Sequence, residues 1–362
     1  MASDAVVSWH LGMKAILLAG GMGTRLRPLT LQVPKPVVPV FNRPFLHYQL
    51  DRLKRVPEID EVRLSLNYRP DLIEQVFGDG SDAGIRIRYI VEPEPLGTGG
   101  AVRFAGHDLQ ETVVVFNGDV LTQIDLADVI RLHRARKAKA TIVLTPVENP
   151  SAYGLVETDA HGNVLRFLEK PDPSQITTDL INAGIYVLEP DTFDRIPAGE
   201  PYSIERGYFP SLVERGETFV AYPYRGYWLD IGTPASYRQV HRDIMDGLFA
   251  AAPFPVTGGD RLAIAPGAQV DPAAHVIAPC FIDSGATIAA GAQVGPHAVI
   301  GRDAVIEAGA RVSTSILWPN PHVGPHAFLA DTVLATGSRV GAHATVTGLT
   351  LGADSHISDY SR

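Results

Sequence analysis

Residues Gly20–Thr30, GGMGTRLRPLT, follow directly on the apolar run Lys14–Ala19, KAILLA. Three glycines, two arginines and two threonines thus leave what reads as a buried strand. Bare backbone and fixed positive charge in one turn suit an anion. Two phosphate loops are excluded by residue type. The nucleotide P-loop needs Gly-x4-Gly-Lys-[Ser/Thr], and no lysine stands there. A Gly-x-Gly-x-x-Gly fingerprint started at Gly21 ends on Leu26. Pro34-Lys35-Pro36 follows soon after, with two prolines stiffening the backbone around a lysine. Two cations on a glycine-rich turn fit a polyphosphate better than a plain strand-to-helix turn with solvated arginines.

Outward from this loop, residues 13 to about 245 alternate short apolar strands with helical stretches. Strands are expected at Ala15–Ala19, Val62–Leu66, Ile87–Val91, Val113–Asn117, Thr141–Thr145 and Ile181–Leu188. Helices are expected at Pro44–Val56, Pro70–Phe77, Gly99–Ala105 and Leu126–Ala138. This order argues an α/β domain with a mostly parallel sheet, Rossmann-like in outline. Ligands of such sheets collect at the carboxyl ends of the strands, where the opening loop and Asn117-Gly118-Asp119 both fall.

After Pro253 the period changes. Ile264, Val270, Val276, Ile282, Ile288, Val294, Ile300, Ile306 and Val312 are aliphatic at every sixth position. Small residues follow four positions after each of the first eight: Ala268, Ala274, Cys280, Ala286, Ala292, Ala298, Ala304 and Ala310. No helix or hairpin sheet has this period, whereas a parallel β-helix of hexapeptides does. The phase slips by one residue after Val312 and resumes at Val323, Leu329, Leu334, Val340 and Val346. ILWPNPHVG, between them, is expected to form a loop or corner. The domains are therefore expected at 13–250 and 251–362, with residues 1–12 an extension ahead of Met13.

Composition narrows the partners. A net charge of −9 argues against nucleic acid or an anionic membrane surface, both of which need basic fields. No apolar stretch approaches the ~20 residues of a membrane span. One cysteine, Cys280, leaves no intrachain disulfide framework and fits a reducing cytoplasm. Its place in the small column makes it a packing residue rather than a reactive thiol.

GGxGTRLxPLT followed by PKP resembles the signature of the sugar-1-phosphate nucleotidyltransferases, the nucleotide-sugar pyrophosphorylases. The resemblance spans nearly the whole chain: EPLGTGGA (Glu94–Ala101), VFNGDV (Val115–Val120), YGLVE (Tyr153–Glu157), FLEKP (Phe167–Pro171), NAGIY (Asn182–Tyr186), SIE (Ser203–Glu205) and WLDIGTP (Trp228–Pro234). It implies a nucleotidyltransferase domain followed by a left-handed β-helix. Within the family the details are most similar to the guanylyltransferases that use GTP and mannose 1-phosphate. Members using glucose 1-phosphate with UTP or dTTP, or heptose 1-phosphate with GTP, stay as alternatives. More remote are bifunctional members whose β-helix also transfers acetyl groups, and regulatory subunits that have lost the chemistry.

The reaction so implied needs no activated serine, cysteine or histidine, because the attacking sugar phosphate is already an anion. Positioning and electrostatics carry it. The resemblance gives Mg²⁺ to Asp119 and Asp230, and the triphosphate to Arg25 and Lys35. Asp119 otherwise reads as a turn residue at a strand exit, and Asp230 as an ion-pair partner of Arg225. Leu18, Ala19, Gly20, Gly21, Gly23 and Thr24 would line the nucleotide. Glu92 would accept the two adjacent N–H donors of guanine, with Glu94 its competitor and Gly97 and Thr98 alongside. Lys170 would clamp the sugar phosphate, while Gly154, Glu169 and Asn182 would meet the sugar. The solenoid is expected to serve assembly of a homo-oligomer.

Overall fold

The computed structural model describes residues 12–254 and 261–362. Apart from Gly12, the extension expected over 1–12 lies outside the described residues, as does 255–260 at the head of the expected second domain. Packing divides the chain into two compact units. One takes the chain up to Gly21 together with Tyr48–Trp228, and the other takes Met22–His47 with Leu229–Arg362. The division at residue 250 stands as a proposal about independently folding domains.

The first unit is built on a nine-stranded sheet. Its strands are β1 (Met13–Leu18), β2 (Ile59–Leu66), β3 (Arg86–Val91), β4 (Val113–Asn117), β5 (Ala140–Pro146), β6 (Gly154–Thr158), β7 (Val164–Glu169), β8 (Leu180–Leu188) and β9 (Phe219–Pro223). They lie in the order β7-β6-β8-β4-β1-β2-β3, with β5 also on β8 and β9 on β5. Pairing is parallel across β4-β1-β2-β3 and between β5 and β9. It is antiparallel at β8 and between β6 and β7. Helices α1 (Leu46–Leu53), α2 (Pro70–Phe77), α3 (Gly97–Ala105), α4 (Leu126–Arg136) and α5 (Phe209–Glu214) accompany it.

The central strands read as continuous apolar runs because both faces are covered. Ala15, Ile16 and Leu17 on β1, and Val113, Val114 and Val115 on β4, are fully buried. Each of the six expected strands and four expected helices is present, with ends moved by a few residues. The largest trim is at α1, which stops at Leu53 and hands Lys54–Val56 to turns. The β6–β7 hairpin and β9 were not among the expected elements.

The second unit holds α6 (Pro234–Asp246), capped by Thr233, whose hydroxyl accepts from the Ser236 amide at 3.2 Å. It also holds the left-handed β-helix, whose parallel sheets contain six, six and five strands. The aliphatic column fills the interior: Ile282, Ile288, Val294, Ile300, Ile306 and Val312 are all at most 1% exposed. Cys280 lies in the buried small column, and burial pushes its thiol up to about 12. The expected loop at ILWPNPHVG is a correction. Ile316–Leu317 is a strand in register with Val299–Ile300, and Leu317 takes the next interior place. From Val312 to Leu317 the step is five residues instead of six, and it is five again from Leu329 to Leu334. One corner of each later coil is therefore a residue shorter, which explains the slip in phase without interrupting the column.

Candidate active site

In the sheet unit the glycine-rich motif begins where β1 ends. The Ala19 amide donates to the Ser65 carbonyl at 3.0 Å, carrying the strand pairing to the edge of the loop. Leu18 is partly buried and pairs with Asn117 on β4. A Cβ on Gly20 would lie 3.0 Å from the Asn67 amide nitrogen and 3.4 Å from the Glu92 carboxylate, whereas one on Gly21 would meet nothing within 4 Å. Glu92 is 7% exposed. Its two oxygens accept from the Ser65 hydroxyl at 2.8 Å and the Leu96 amide at 2.9 Å. Glu94 is exposed.

Gly97 and Thr98 pack against the segment Tyr202–Glu205. The Thr98 hydroxyl donates to Glu205 at 2.7 Å and accepts from the Ile204 amide at 2.9 Å. Gly97, at φ 68°, lies under the Tyr202 backbone, where a Cβ would come 2.9 Å from its carbonyl oxygen. Ser203 completes the hold on Glu205 with a second hydroxyl donor at 2.7 Å. The glycine-rich start of α3 thus seats the SIE segment. That pairing joins residues over a hundred positions apart, and no local pattern marks it.

Asp119, half-buried, follows β4 in the turn Asn117-Gly118-Asp119. The Gly118 amide donates to the Leu18 carbonyl at 3.0 Å, and a Cβ there would fall 2.4 Å from that same oxygen. Only glycine lets the turn lie so close to β1. From the other side Gln49 of α1 donates to the carbonyls of Asn117 and Val120, at 2.8 and 2.9 Å.

The residues expected on the sugar side lie on and around β6, β7 and β8. Gly154 faces the Phe167 ring and the Glu169 carboxylate, which a Cβ would approach to 2.7 and 3.0 Å. Burial and the nearby Glu205 raise the Glu169 pKa. Lys170 is exposed and stands in the left-handed region at φ 51°, its amide bonded to the Tyr153 carbonyl at 3.0 Å. A non-glycine residue held there costs about 1 kcal/mol and redirects the chain sharply. Asn182 opens a bulge in β8, where the register with β5 shifts between Asn182 and Tyr186. Its amide accepts from the Gly184 amide at 2.9 Å and donates to the Tyr186 hydroxyl at 2.8 Å. The Trp228 indole donates to the Ala183 carbonyl in the same bulge and meets Tyr153 edge-on.

The second unit carries the fixed cations. Gly23, at φ 60°, opens a 3-10 turn over Thr24–Leu26, and the Thr30 hydroxyl closes the loop onto the Gly23 carbonyl at 2.7 Å. Thr24 is exposed. Leu26 and Leu29 are buried, whereas Arg25, just before them, points outward with its side chain 65% exposed. It meets Asp230 at 3.8 Å. The DIGT turn that follows Asp230 makes room for this pair, since a Cβ on Gly232 would lie 2.9 Å from the guanidinium. Lys35 sits in a second 3-10 turn between two buried prolines, Pro34 and Pro36.

This loop is tied to α6 and the β-helix. The Tyr237 hydroxyl donates to the Pro39 carbonyl and accepts from the Trp318 indole at 2.8 Å. His241 accepts from the Phe41 amide at 3.0 Å and donates to the Tyr237 carbonyl at 2.9 Å. Full burial among these partners lowers its pKa to about 4.

Hard carboxylate oxygens of the Asp119 and Asp230 type suit Mg²⁺, which takes one or two carboxylates and keeps waters and phosphates as its other ligands. Among the described residues no group of three His, Cys, Asp or Glu forms an all-protein cage.

The chain belongs to the nucleotidyl transferase family, which it matches over residues 14–247, and residues 276–361 match the GMPPB C-terminal domain. It is 42% identical over 278 residues to the mannose-1-phosphate guanylyltransferase of Mycobacterium tuberculosis, covering 76% of each chain. It is 37% identical over 357 residues to a probable mannose-1-phosphate guanylyltransferase of Oryza sativa, covering 96% of this chain and 93% of that one. The crystal structure of HddC from Yersinia pseudotuberculosis complexed with GMP-PN superposes with a TM-score of 0.53 at 28% identity, over 63% of this chain and 97% of that chain. The chain is a nucleotidyltransferase of the class that acts on sugar phosphates. No helix of the described residues is long and apolar enough to cross a membrane.

Proposed function

We propose that this protein transfers the guanylyl group of GTP to mannose 1-phosphate, giving GDP-mannose and pyrophosphate. A phosphate oxygen of the sugar phosphate attacks the α-phosphorus, and the bond to the bridging oxygen of pyrophosphate breaks. The observation that carries this reading is the pairing of Arg25 with Asp230 over Gly232. It joins the two most separated motifs of the family into one charged cluster, and relatives bearing that activity in their names extend over 96% of the chain.

Arg25 offers a planar fork to two phosphate oxygens and Lys35 a compact point charge, both suited to the triphosphate and its leaving pyrophosphate. Asp119 and Asp230 would hold Mg²⁺, which would neutralise phosphate charge when bound. Lys170 would take the sugar phosphate, with Glu169 and Asn182 towards the hydroxyls. Gly20, Gly21, Gly23 and Thr24 would lie along the nucleotide. Each Glu92 oxygen makes one protein hydrogen bond and keeps further lone-pair capacity for the guanine N1–H and N2–H. The single, buried Cys280 suits a reducing, cytoplasmic setting, and the β-helix is our candidate for homo-oligomer contacts.

The test is pyrophosphate release with Mg²⁺, crossing GTP, UTP and dTTP against mannose 1-phosphate and glucose 1-phosphate. Release confined to GTP with mannose 1-phosphate, and lost in Asp119→Ala, is the expected result. Preference for another pair would move the base or sugar assignment. No release from folded protein with any pair would overturn the reading.

A further inference from the structure

Gln49 has no place in the reaction outlined above, yet its surroundings are unusual for a core position. It lies on α1 and is 1% exposed. The side-chain nitrogen donates to two main-chain carbonyls, Asn117 at 2.8 Å and Val120 at 2.9 Å. Between those carbonyls the chain carries only Gly118 and Asp119. Because both partners are acceptors, the amide can stand in one orientation alone, nitrogen towards the loop. The Gln49 oxygen is then buried with no hydrogen-bond partner among the described residues. An unmet buried acceptor costs about 1–3 kcal/mol, which leucine or methionine at this position would avoid. The side chain thus bears a polar cost at the point where it grips the turn carrying Asp119.

The opposite side of the turn is also fixed, by the Gly118 amide on the Leu18 carbonyl at 3.0 Å. With β1 holding one flank and Gln49 the other, the backbone on each side of Asp119 has little freedom. We propose that Gln49 is a positioning residue: its amide clamps the Asn117 and Val120 carbonyls and so sets the direction of the Asp119 carboxylate towards the metal. The inference rests on the reading of Asp119 as a metal ligand. Residues that orient metal ligands typically account for 10–100-fold in metal affinity or activity.

The experiment compares wild type, Gln49→Met and Asp119→Ala. The dissociation constant of GTP is measured calorimetrically in EDTA and again in saturating Mg²⁺, without sugar phosphate, and thermal melts check folding. The ratio of the two constants reads the coupling between metal and nucleotide. In Gln49→Met this ratio should fall by about 10-fold or more while the EDTA constant stays at the wild-type value. In turnover, kcat should drop with KM for the sugar phosphate unchanged. A wild-type ratio in Gln49→Met, alongside a collapsed ratio in Asp119→Ala, would overturn the clamp and leave the metal assignment standing. An unchanged ratio in both variants would overturn the metal reading of Asp119 and the clamp with it. Equal weakening with and without metal would also overturn it, because the whole nucleotide site would then have been lost. Should Gln49→Met not fold, Gln49→Glu keeps the shape, and its carboxyl group, which has at most one proton, cannot donate to both carbonyls. It is read by the same ratio, with a wild-type value again overturning the proposal.

Discussion

In the sheet unit the candidate ligand groups are set by devices a few residues long. Asp119 hangs on a glycine turn against β1, Asn182 on a bulge in β8, and Lys170 on a left-handed residue at the end of β7. In the other unit Arg25 and Lys35 depend on a loop that has little regular structure of its own, while Asp230, which pairs with Arg25, ends the short strand Trp228–Asp230. That loop is held by Tyr237 and His241 of α6, and through Tyr237 by Trp318 of the β-helix. Local devices tolerate change elsewhere in the fold. A loop fixed by distant packing ties its charges to the integrity of the solenoid. The β-helix is therefore part of what holds the loop that carries Arg25 and Lys35.

The sharpest break of this comparison is a pair of single truncations. Arg25→Ala should lower kcat/KM for GTP by about 10²–10³, the usual loss when one preorganised donor to developing charge is removed. Arg25→Lys should recover little, because the two-oxygen fork is gone. Lys170→Ala should act chiefly on KM for the sugar phosphate and leave metal-free GTP binding intact. Steady-state kinetics with each substrate varied in turn decide the matter. If both variants move the same KM, the assignment of the two cations to different substrates fails.

Next in size is the dependence of the loop's anchor on acid. His241 is neutral in the fold, with its pKa lowered to about 4 by burial. In the unfolded chain it titrates near ~6.5. Between those values the unfolded state binds the extra proton, so stability is complete above about pH 6.5 and declines as pH falls towards 4. That lowering of the pKa corresponds to about 3 kcal/mol. His241→Gln can still accept from the Phe41 amide and donate to the Tyr237 carbonyl, but it does not titrate. Its thermal midpoint should show a flatter pH dependence over this window than wild type. Parallel curves would mean that acid acts elsewhere.

How much of this was legible in the sequence follows the same division. Strands buried on both faces and the sixfold aliphatic column are contiguous signals; the column is buried from Ile282 onward, whereas Ile264 at its head is 44% exposed. Leu317 escaped because a one-residue shortening at a corner imitates a break in the repeat. The β6–β7 hairpin hides behind a polar turn, in which Asp159 accepts from the amides of His161 and Asn163, both at 2.8 Å. Charged motif residues could be singled out by type, but their partners could not. Gln49 meets Asn117 across 68 positions, and Arg25 meets Asp230 across more than two hundred. By its place after β3, Glu92 reads as facing a base. The structure adds the Ser65 and Leu96 donors that fix its carboxylate, and nothing near Glu92 in sequence announces Ser65.

A smaller effect tests that carboxylate. Glu92→Gln keeps the shape but replaces one acceptor by a donor, so it would oppose a guanine N–H and also the Ser65 or Leu96 donor. GTP should lose about 10-fold in kcat/KM relative to UTP or dTTP, the scale of one hydrogen bond to a charged group. An equal loss with all three nucleotides would leave Glu92 a purely internal brace of the 92–96 turn.

The smallest change probes the longest connection. Trp318 is 6% exposed in the β-helix, and its indole N–H donates to the Tyr237 hydroxyl, which in turn donates to the Pro39 carbonyl. Trp318→Phe retains an apolar ring and removes the donor, so the expected destabilisation is about 1 kcal/mol, one neutral hydrogen bond. Pro39 lies three residues beyond the buried Pro36 that flanks Lys35. A slackened Tyr237 should therefore be felt as a rise of about 2-fold in KM for GTP, a few tenths of a kcal/mol at the loop. Nothing in the local devices around Lys170 and Asn182 depends on Trp318, so KM for the sugar phosphate should not move. A matched rise in both constants would show that the solenoid steadies the enzyme as a whole, and the distinction between packed loop and local device would lose its kinetic meaning.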